Sequence, residues 1–302
     1  MNRIICIGEC ALDIIFEAGQ PIGSMPGGRI AMAAARMART GLPVTMASEA
    51  SDDPIGEMLV GHLKAAGVDC SSVDRFTQGH SPLTVFTPGD VPEVYRATRY
   101  EAYGDGGFDI VWPRVDDRTI VVFGGYYSLD ERMRDRLLPF LRNCSERKAI
   151  MVYVPGFRAD RCRRMTRVMP AILENLELAD MVIARNEDLE LIFGASNSGK
   201  CYRDHIDFYC RSMVNVDAAC HTLSYYSGRD MTQTPLPAKV CGSLLWNAGI
   251  IAGVTGAIFA RDLYAADLDG ASEEIRTAIL RAAADEAIAA SAELQYDWQK
   301  KI

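Results

Sequence analysis

Thr119-Ile120-Val121-Val122-Phe123-Gly124 and Ala149-Ile150-Met151-Val152-Tyr153-Val154 are two continuous apolar runs rich in β-branched residues, and residues 129–141 between them have helical periodicity. Strand, helix, strand, with strands apolar on both faces, is the pattern of a βαβ crossover, which places the strands parallel in a sheet covered on both sides. The pattern repeats outward. Residues 3–8 form a short apolar run ending at Gly8, residues 44–48 form another, and the alanine-rich helical segment 29–40 between them is closed by Gly41. Ser51-Asp52-Asp53-Pro54 is an N-cap cluster with proline in the first turn of a helix to about residue 66. Further on, residues 181–184 read as a strand, and Asn186-Glu187-Asp188 opens a helix through Phe193. Residues 158–178, 202–213, 244–259 and 271–294 read as helices, residues 196–200 as a loop and residues 224–237 as irregular. Residues 83–87 and 95–103 alternate polar and apolar side chains, as half-solvated strands do, so a small antiparallel sheet is expected beside the main one.

A chain of 302 residues with 49% hydrophobic composition can bury a large core, as one large α/β domain or two smaller ones. The net charge of −8 argues against nucleic acid or an anionic membrane as partner, since both reward a basic face. A small ligand is expected instead. The nine cysteines are odd in number and spread out with no CxxC pair, and residues 1–16 carry Glu9 and Asp13 in too short an apolar stretch for a secretory signal. Reduced thiols and a cytoplasmic location are the expectation. The low-charge run 244–260 is short for a membrane span and reads as a core helix. GxGxxG, GxxxxGK[ST] and HExxH are absent, and His62, His80, His205 and His221 show no ligand spacing, so no metal centre is expected.

Val240-Cys241-Gly242-Ser243-Leu244-Leu245-Trp246-Asn247-Ala248-Gly249 reads as a turn and the first turns of a buried helix, with Ser243 as N-cap and Gly242 allowing close approach of a ligand. Free amides at such a terminus suit a phosphate or a developing oxyanion. Phosphoryl transfer to an alcohol also wants a carboxylate there to accept the hydroxyl proton. None occurs between Asp230 and Asp262. At the carboxyl end of the first strand, Asp13 is a candidate to bind a polyol or else a solvated loop carboxylate; Gly27 and Gly28 either admit a ligand to the backbone or simply make a turn. Asn186-Glu187-Asp188 either favour the helix dipole or hold a hydrated magnesium ion. Arg158, Arg161, Arg163, Arg164 and Arg167 form an anion patch or a solvated face.

Taken in order, Ile7-Gly8-Glu9 with Asp13, Pro26-Gly27-Gly28, Ala38-Arg39 with Gly41, Asp52-Asp53-Pro54-Ile55-Gly56, Gly67-Val68-Asp69, Tyr153-Val154-Pro155-Gly156-Phe157-Arg158, and Ala179-Asp180-Met181-Val182 through Asn186-Glu187 resemble the ribokinase-like, or PfkB, family of carbohydrate kinases. The likeness covers most of the chain. It implies a three-layer α/β/α sandwich around a mostly parallel central sheet, in one domain over residues 1–302, with a small β lid whose strands lie at roughly 10–20 and 82–104. It also implies ATP-dependent phosphorylation of a sugar hydroxyl, ATP and Mg2+ as cofactors, a sugar or nucleoside as small-molecule partner, and a possible homodimer through the lid. On its motifs, Asp13, Gly27 and Gly28 would bind substrate, and Asn186, Glu187 and Thr222 the cofactor.

The departures from the family pattern fall on the chemistry. The second signature, DTxGAGD, places its first Asp on Ala238 and its catalytic Asp on Leu244, leaving Gly242 and Ser243 as the remnant of an anion hole. The sugar-contacting Asn after PGG falls on Met32, the Asp and Asn of DPNxR on Val154 and Gly156, and the Glu of NxxE on Leu189. TLGxxG becomes Thr222-Leu223-Ser224-Tyr225-Tyr226-Ser227, with tyrosines expected to crowd the nucleotide. A positioned base contributes roughly 10²–10⁴-fold and an oxyanion donor about 10²–10³-fold, so losing both leaves little kinase. The expectation is a catalytically impaired carbohydrate kinase-like protein. The alternatives are a non-catalytic sugar or nucleoside sensor or partner subunit, and an active kinase whose base is Asp53, Glu187 or Asp230. An oxidoreductase ranks last, since the dinucleotide fingerprint is missing.

Overall fold

The apolar runs become strands β1 (Arg3–Ile7), β4 (Val44–Ser51), β8 (Thr119–Gly124), β9 (Ile150–Val154) and β10 (Met181–Arg185), all parallel to their neighbours. With β5 (Asp69–Phe76), β11 (Ser212–Asp217), β12 (Thr222–Ser227) and β13 (Asp230–Pro235) they form a nine-stranded sheet of order β13-β12-β11-β10-β9-β8-β1-β4-β5. Among the described strands of this sheet β12 alone is reversed, antiparallel to both β11 and the edge strand β13. A second, four-stranded sheet has the order β3-β2-β6-β7, from β2 (Ala11–Glu17), β3 (Gln20–Gly27), β6 (Gly79–Pro88) and β7 (Tyr95–Tyr103). Its outer pairs are antiparallel and its central pair, β2 with β6, is parallel, because the two strands come from different parts of the chain rather than from one hairpin. The structure is a computed structural model and describes residues 3–88, 95–103, 110–156, 165–241 and 245–298.

Alternation along β1 shows how the layers are made. Ile4 and Cys6 pack with α1 (Arg29–Arg39), α2 (Pro54–Ala65), α8 (Trp246–Ala260) and α10 (Glu273–Trp298), while Ile5 and Ile7 pack with α3 (Glu131–Glu146), α4 (Met165–Leu178) and α5 (Asn186–Phe193). Two separate cores, one on each face of the sheet, follow from strands that are apolar on both sides. Asp53 caps α2 as expected, accepting the Gly56 N–H at 2.7 Å. Among the described residues no helix is long and apolar enough to cross a membrane.

The sequence expectations fail at the β13 edge. Residues 202–213 are not a helix: a π-helical turn ends at Ile206 and β11 starts at Ser212. Residues 224–237 are not irregular, because β12 and β13 form a hairpin through Gly228-Arg229 with Ser227 opposite Asp230. On the face that meets residues 198–206, Ser224 and Gln233 alternate with Tyr226 and Met231, which erases the apolar signature. Residues 198–201 form a short helix, α6 (Ser198–Cys201), capped by Asn197 accepting the Lys200 N–H at 2.8 Å. The long core helix starts at Trp246, with Leu245 at its N-cap and no capping side chain.

Backbone-to-backbone contact between α8 and α10 gives a stability prediction. A Cβ added at Gly253 would lie 2.3 Å from the Ala282 carbonyl oxygen, whereas one added at Gly256 meets nothing nearer than Leu42 Cδ1 at 3.8 Å. Gly253→Ala is expected to destabilise by about 1–3 kcal/mol through overpacking. Gly256→Ala, on the same helix, is expected to be neutral or to gain up to about 1 kcal/mol of helix propensity. Urea unfolding of the two variants measures the contrast.

A second prediction concerns pH. Asp180, between α4 and β10, accepts the Met151 N–H at 2.8 Å, and burial pushes its carboxyl up to about 6. A carboxyl raised above its unfolded value adds stability that is complete below the unfolded value of about 4 and is lost as pH rises through 6. Relative to Asp180→Asn, the wild type is therefore expected to gain about 2 kcal/mol of stability as pH falls from 7.5 to 4.5. Parallel stability profiles for the two proteins would contradict this.

Candidate substrate and phosphate site

The carboxyl ends of β1, β8, β9 and β10 converge on one cleft. Glu9, just after β1, accepts the Tyr127 N–H through Oε2 at 3.2 Å, and a Cβ at Gly125, just after β8, would stand 2.8 Å from the same oxygen. Asp13 lies on β2, paired across to Met25 of β3 and Thr84 of β6. Its carboxylate lies directly over Gly27, where an added Cβ would sit 2.1 Å from Asp13 Cγ. Gly28 has φ +95°, and a Cβ there would sit 2.0 Å from the Glu9 carbonyl oxygen. Any side chain at either position would displace the carboxylate or separate the two sheets. The sequence candidates Asp13, Gly27 and Gly28 thus meet beside Glu9. Met32 does not join them: it is buried in the core under α1.

On the other side of the cleft α5 begins at Asn186, whose buried Oδ1 has no hydrogen-bond partner among the described residues. Glu187 is about half exposed, at 52%. Leu189 is packed in the core with Ile192, since it falls on the inward face of the helix. Asp188, expected either to favour the helix dipole or to help hold magnesium, is completely buried and shared by two guanidiniums. Arg185 holds it through Nε at 3.1 Å and Nη2 at 2.8 Å, and Arg29, the first residue of α1, reaches it through Nη1 at 3.6 Å. Burial alone would raise the Asp188 carboxyl, but Arg185 and Arg29 together hold it below the usual carboxylate range. Burial and the neighbouring Arg185 bring the Arg29 guanidinium down to about 10, against the opposing pull of Asp188, Glu9 and Glu187. The sequence signal for this network was an arginine directly after Pro26-Gly27-Gly28 and another directly before Asn186.

Thr222 opens β12 opposite Asp217, and its hydroxyl donates to the Cys220 carbonyl at 2.9 Å. The two tyrosines after it are not gathered at one spot, because strand alternation sends them to opposite layers. Tyr225 is fully buried and donates to Ser212 Oγ at 3.2 Å, while Tyr226 stacks on Tyr202 with ring centroids 5.3 Å apart. Cys241 ends α7 (Ala238–Cys241). Its thiol is pushed up by burial first and then by the charges of Glu187 and Asp217, which places the end of α7 beside both. Gly242, Ser243 and Leu244 lie outside the described residues.

Of the three candidate bases, Glu187 alone is at the cleft. Asp53 uses its carboxylate on Gly56 and on the N–H and hydroxyl of Ser81, and Asp230 pairs with Arg276 at the opposite end of the edge strands. Of the five arginines read as an anion patch or a solvated face, Arg167 is exposed and ion-paired with Glu131; Arg158, Arg161, Arg163 and Arg164 lie outside the described residues. Among the described residues no three His, Cys, Asp or Glu side chains cluster as metal ligands would.

The pfkB family carbohydrate kinase profile matches residues 1–223 of the chain. The chain belongs to the pfkB family of carbohydrate kinases. A candidate sugar kinase of Pyrococcus horikoshii is 25% identical over 196 residues, 62% of this chain and 63% of that protein, so the match spans less than two thirds of either. Among solved structures, fructokinase from Vibrio cholerae O395 with fructose, ADP and calcium bound superposes with a TM-score of 0.79 at 16% identity, covering 97% of this chain and 92% of that one. Aminoimidazole riboside kinase from Salmonella enterica, complexed with aminoimidazole riboside and an ATP analog, gives 0.78 at 15%, covering 96% and 93%. At these identities the structural likeness establishes the fold: the pfkB sandwich with its small second sheet.

Proposed function

We propose that this pfkB-family protein keeps a sugar- or nucleoside-binding cleft and has lost, or nearly lost, phosphoryl transfer from ATP. The observation that carries the proposal is the lack of any Asp or Glu between Asp230 and Asp262, the segment that the family signature requires to supply the base at position 244. The first turn of α5 supports it. Beside Asn186 the family's Glu position is a core leucine, and the one buried carboxylate is already neutralised by two arginines. Asp188 and Leu189 do not fit a hydrated magnesium ion, which wants free carboxylate oxygens, and leave Glu187, half exposed beside Arg185, as the one carboxylate of that turn that would face it. No step is therefore routed through magnesium. Gly242 and Ser243 would remain as amide donors.

Asp13, Gly27 and Gly28 favour retained ligand binding, since Asp13 is held over glycines at the mouth of the cleft. A sensor, or a non-catalytic subunit beside a competent kinase, is the second reading and rests on the same three residues. A single domain over residues 1–302, a homodimer through the second sheet and a cytoplasmic location belong to the same proposal. The test is ADP release with magnesium-ATP and a sugar panel, alongside calorimetric titration of magnesium-ATP and of each sugar alone. Sugar binding without turnover supports the proposal. Turnover at rates ordinary for a sugar kinase overturns it.

A further inference from the structure

Between the Ser224 face of the β11–β13 edge and the segment from Asn197 to Arg203 lies a cavity of about 600 Å3. That volume lies in the range of small-molecule pockets. It reaches the cleft only at its Asp217–Thr222 end and runs from there down the strand faces to the Gly228-Arg229 turn at the far end of the hairpin, away from the carboxyl ends of the parallel strands.

Its floor is built in register. Asn215, Ser224 and Gln233 face one another across three strands, giving a row of amide, hydroxyl and amide on one face. A merely solvated sheet face would leave these groups in water, yet Asn215 is 0% exposed and Ser224 3%. Gln233 Nε2 donates to Ser224 Oγ at 3.0 Å, and Asn215 Nδ2 donates to the Ala184 carbonyl at 3.2 Å. Asn215 Oδ1, by contrast, has no hydrogen-bond partner among the described residues. A buried acceptor left open costs about as much as a lost hydrogen bond, and a roomy polar cavity in front of it is where its donor belongs. The rim carries Arg203 and Arg229 with Asp217 and Asp230, the last already paired with Arg276, while the floor that meets a ligand consists of the neutral groups of Asn215, Ser224 and Gln233.

We propose that this groove is a second small-molecule site, for a neutral ligand bearing adjacent hydroxyl groups, one of which donates to Asn215 Oδ1 while another engages the Ser224–Gln233 pair. A free carbohydrate and the ribose of a nucleoside share that chemistry. The site does not depend on the catalytic state of the cleft.

The test is calorimetric titration of glucose, sucrose, adenosine and uridine into an Asp13→Ala background, which removes the cleft's hydroxyl-binding carboxylate. Saturable binding of at least one probe is expected, with sucrose or glucose pointing to a carbohydrate and adenosine or uridine to a nucleoside. Adding Ser224→Ala or Gln233→Ala, each expected to keep the circular dichroism spectrum and to lower the melting temperature by only a few degrees, is expected to weaken that binding by about fivefold to tenfold, the loss of one neutral hydrogen bond. Absence of binding for all four probes at millimolar concentration overturns the proposal. So does binding that both added substitutions leave unchanged.

Discussion

Wild-type protein mixed with magnesium-ATP and a sugar panel is expected to release ADP no faster than a protein-free mixture, and Leu244→Asp is expected not to bring it to the rate of a competent kinase. A correctly placed base is worth roughly 10²–10⁴-fold, so the substitution has that much to return at most. The remaining deficits lie elsewhere. Leu189 is locked in the core beneath α5, and Asp188 is tied to Arg185 and Arg29, so neither supplies an oxygen near Asn186. Phosphoryl transfer depends mainly on positioning and on electrostatic stabilisation of the transferring group, and one restored carboxylate repairs neither. A coupled ADP assay reads the outcome. If wild type turns over robustly, a base sits elsewhere, and Glu187→Ala is the substitution to make next because Glu187 alone among the candidates stands at the cleft. Activity that survives Glu187→Ala would remove that last candidate as well.

The parts of the fold written in apolar periodicity were legible from the chain. Runs such as residues 119–124 and 149–154 must be buried on both faces, and a sheet with a helical layer on each side is what buries them. The tight packing at Gly27 and Gly28 was legible for a related reason: two adjacent glycines after a proline mark either a turn or a place of close approach, and the structure sets Asp13 and the Glu9 backbone against them. The β12–β13 hairpin was not legible, because Ser224 and Gln233 stand where an apolar alternation would need hydrophobic side chains. Nor were the tyrosines of β12, whose effect depends on which layer each faces: Tyr225 and Tyr226 are adjacent in sequence yet belong to different cores. The Arg29–Asp188–Arg185 network joins residues more than 150 positions apart, and only the placement of α1 beside α5 reveals that they meet.

That network carries the largest stability prediction. Asp188→Asn is expected to cost about 3–5 kcal/mol, because removing one partner of a buried ion pair leaves uncompensated charge in a low-dielectric interior. Two guanidiniums would lose their shared counter-charge at once, and both are mostly buried, at 25% exposure for Arg29 and 22% for Arg185. Replacing charge by shape should recover much of the loss. In Asp188→Leu combined with Arg185→Met, the desolvation cost of the pair disappears, and such exchanges are often neutral or stabilising. Arg29 would then retain Glu9 and Glu187, whose charges already act on it. Urea unfolding of the single and double variants separates the two effects. A cost below about 1 kcal/mol for Asp188→Asn would mean that Glu9 and Glu187 already neutralise both arginines, and that Asp188 is a spectator of the cleft rather than the anion that holds its two halves together.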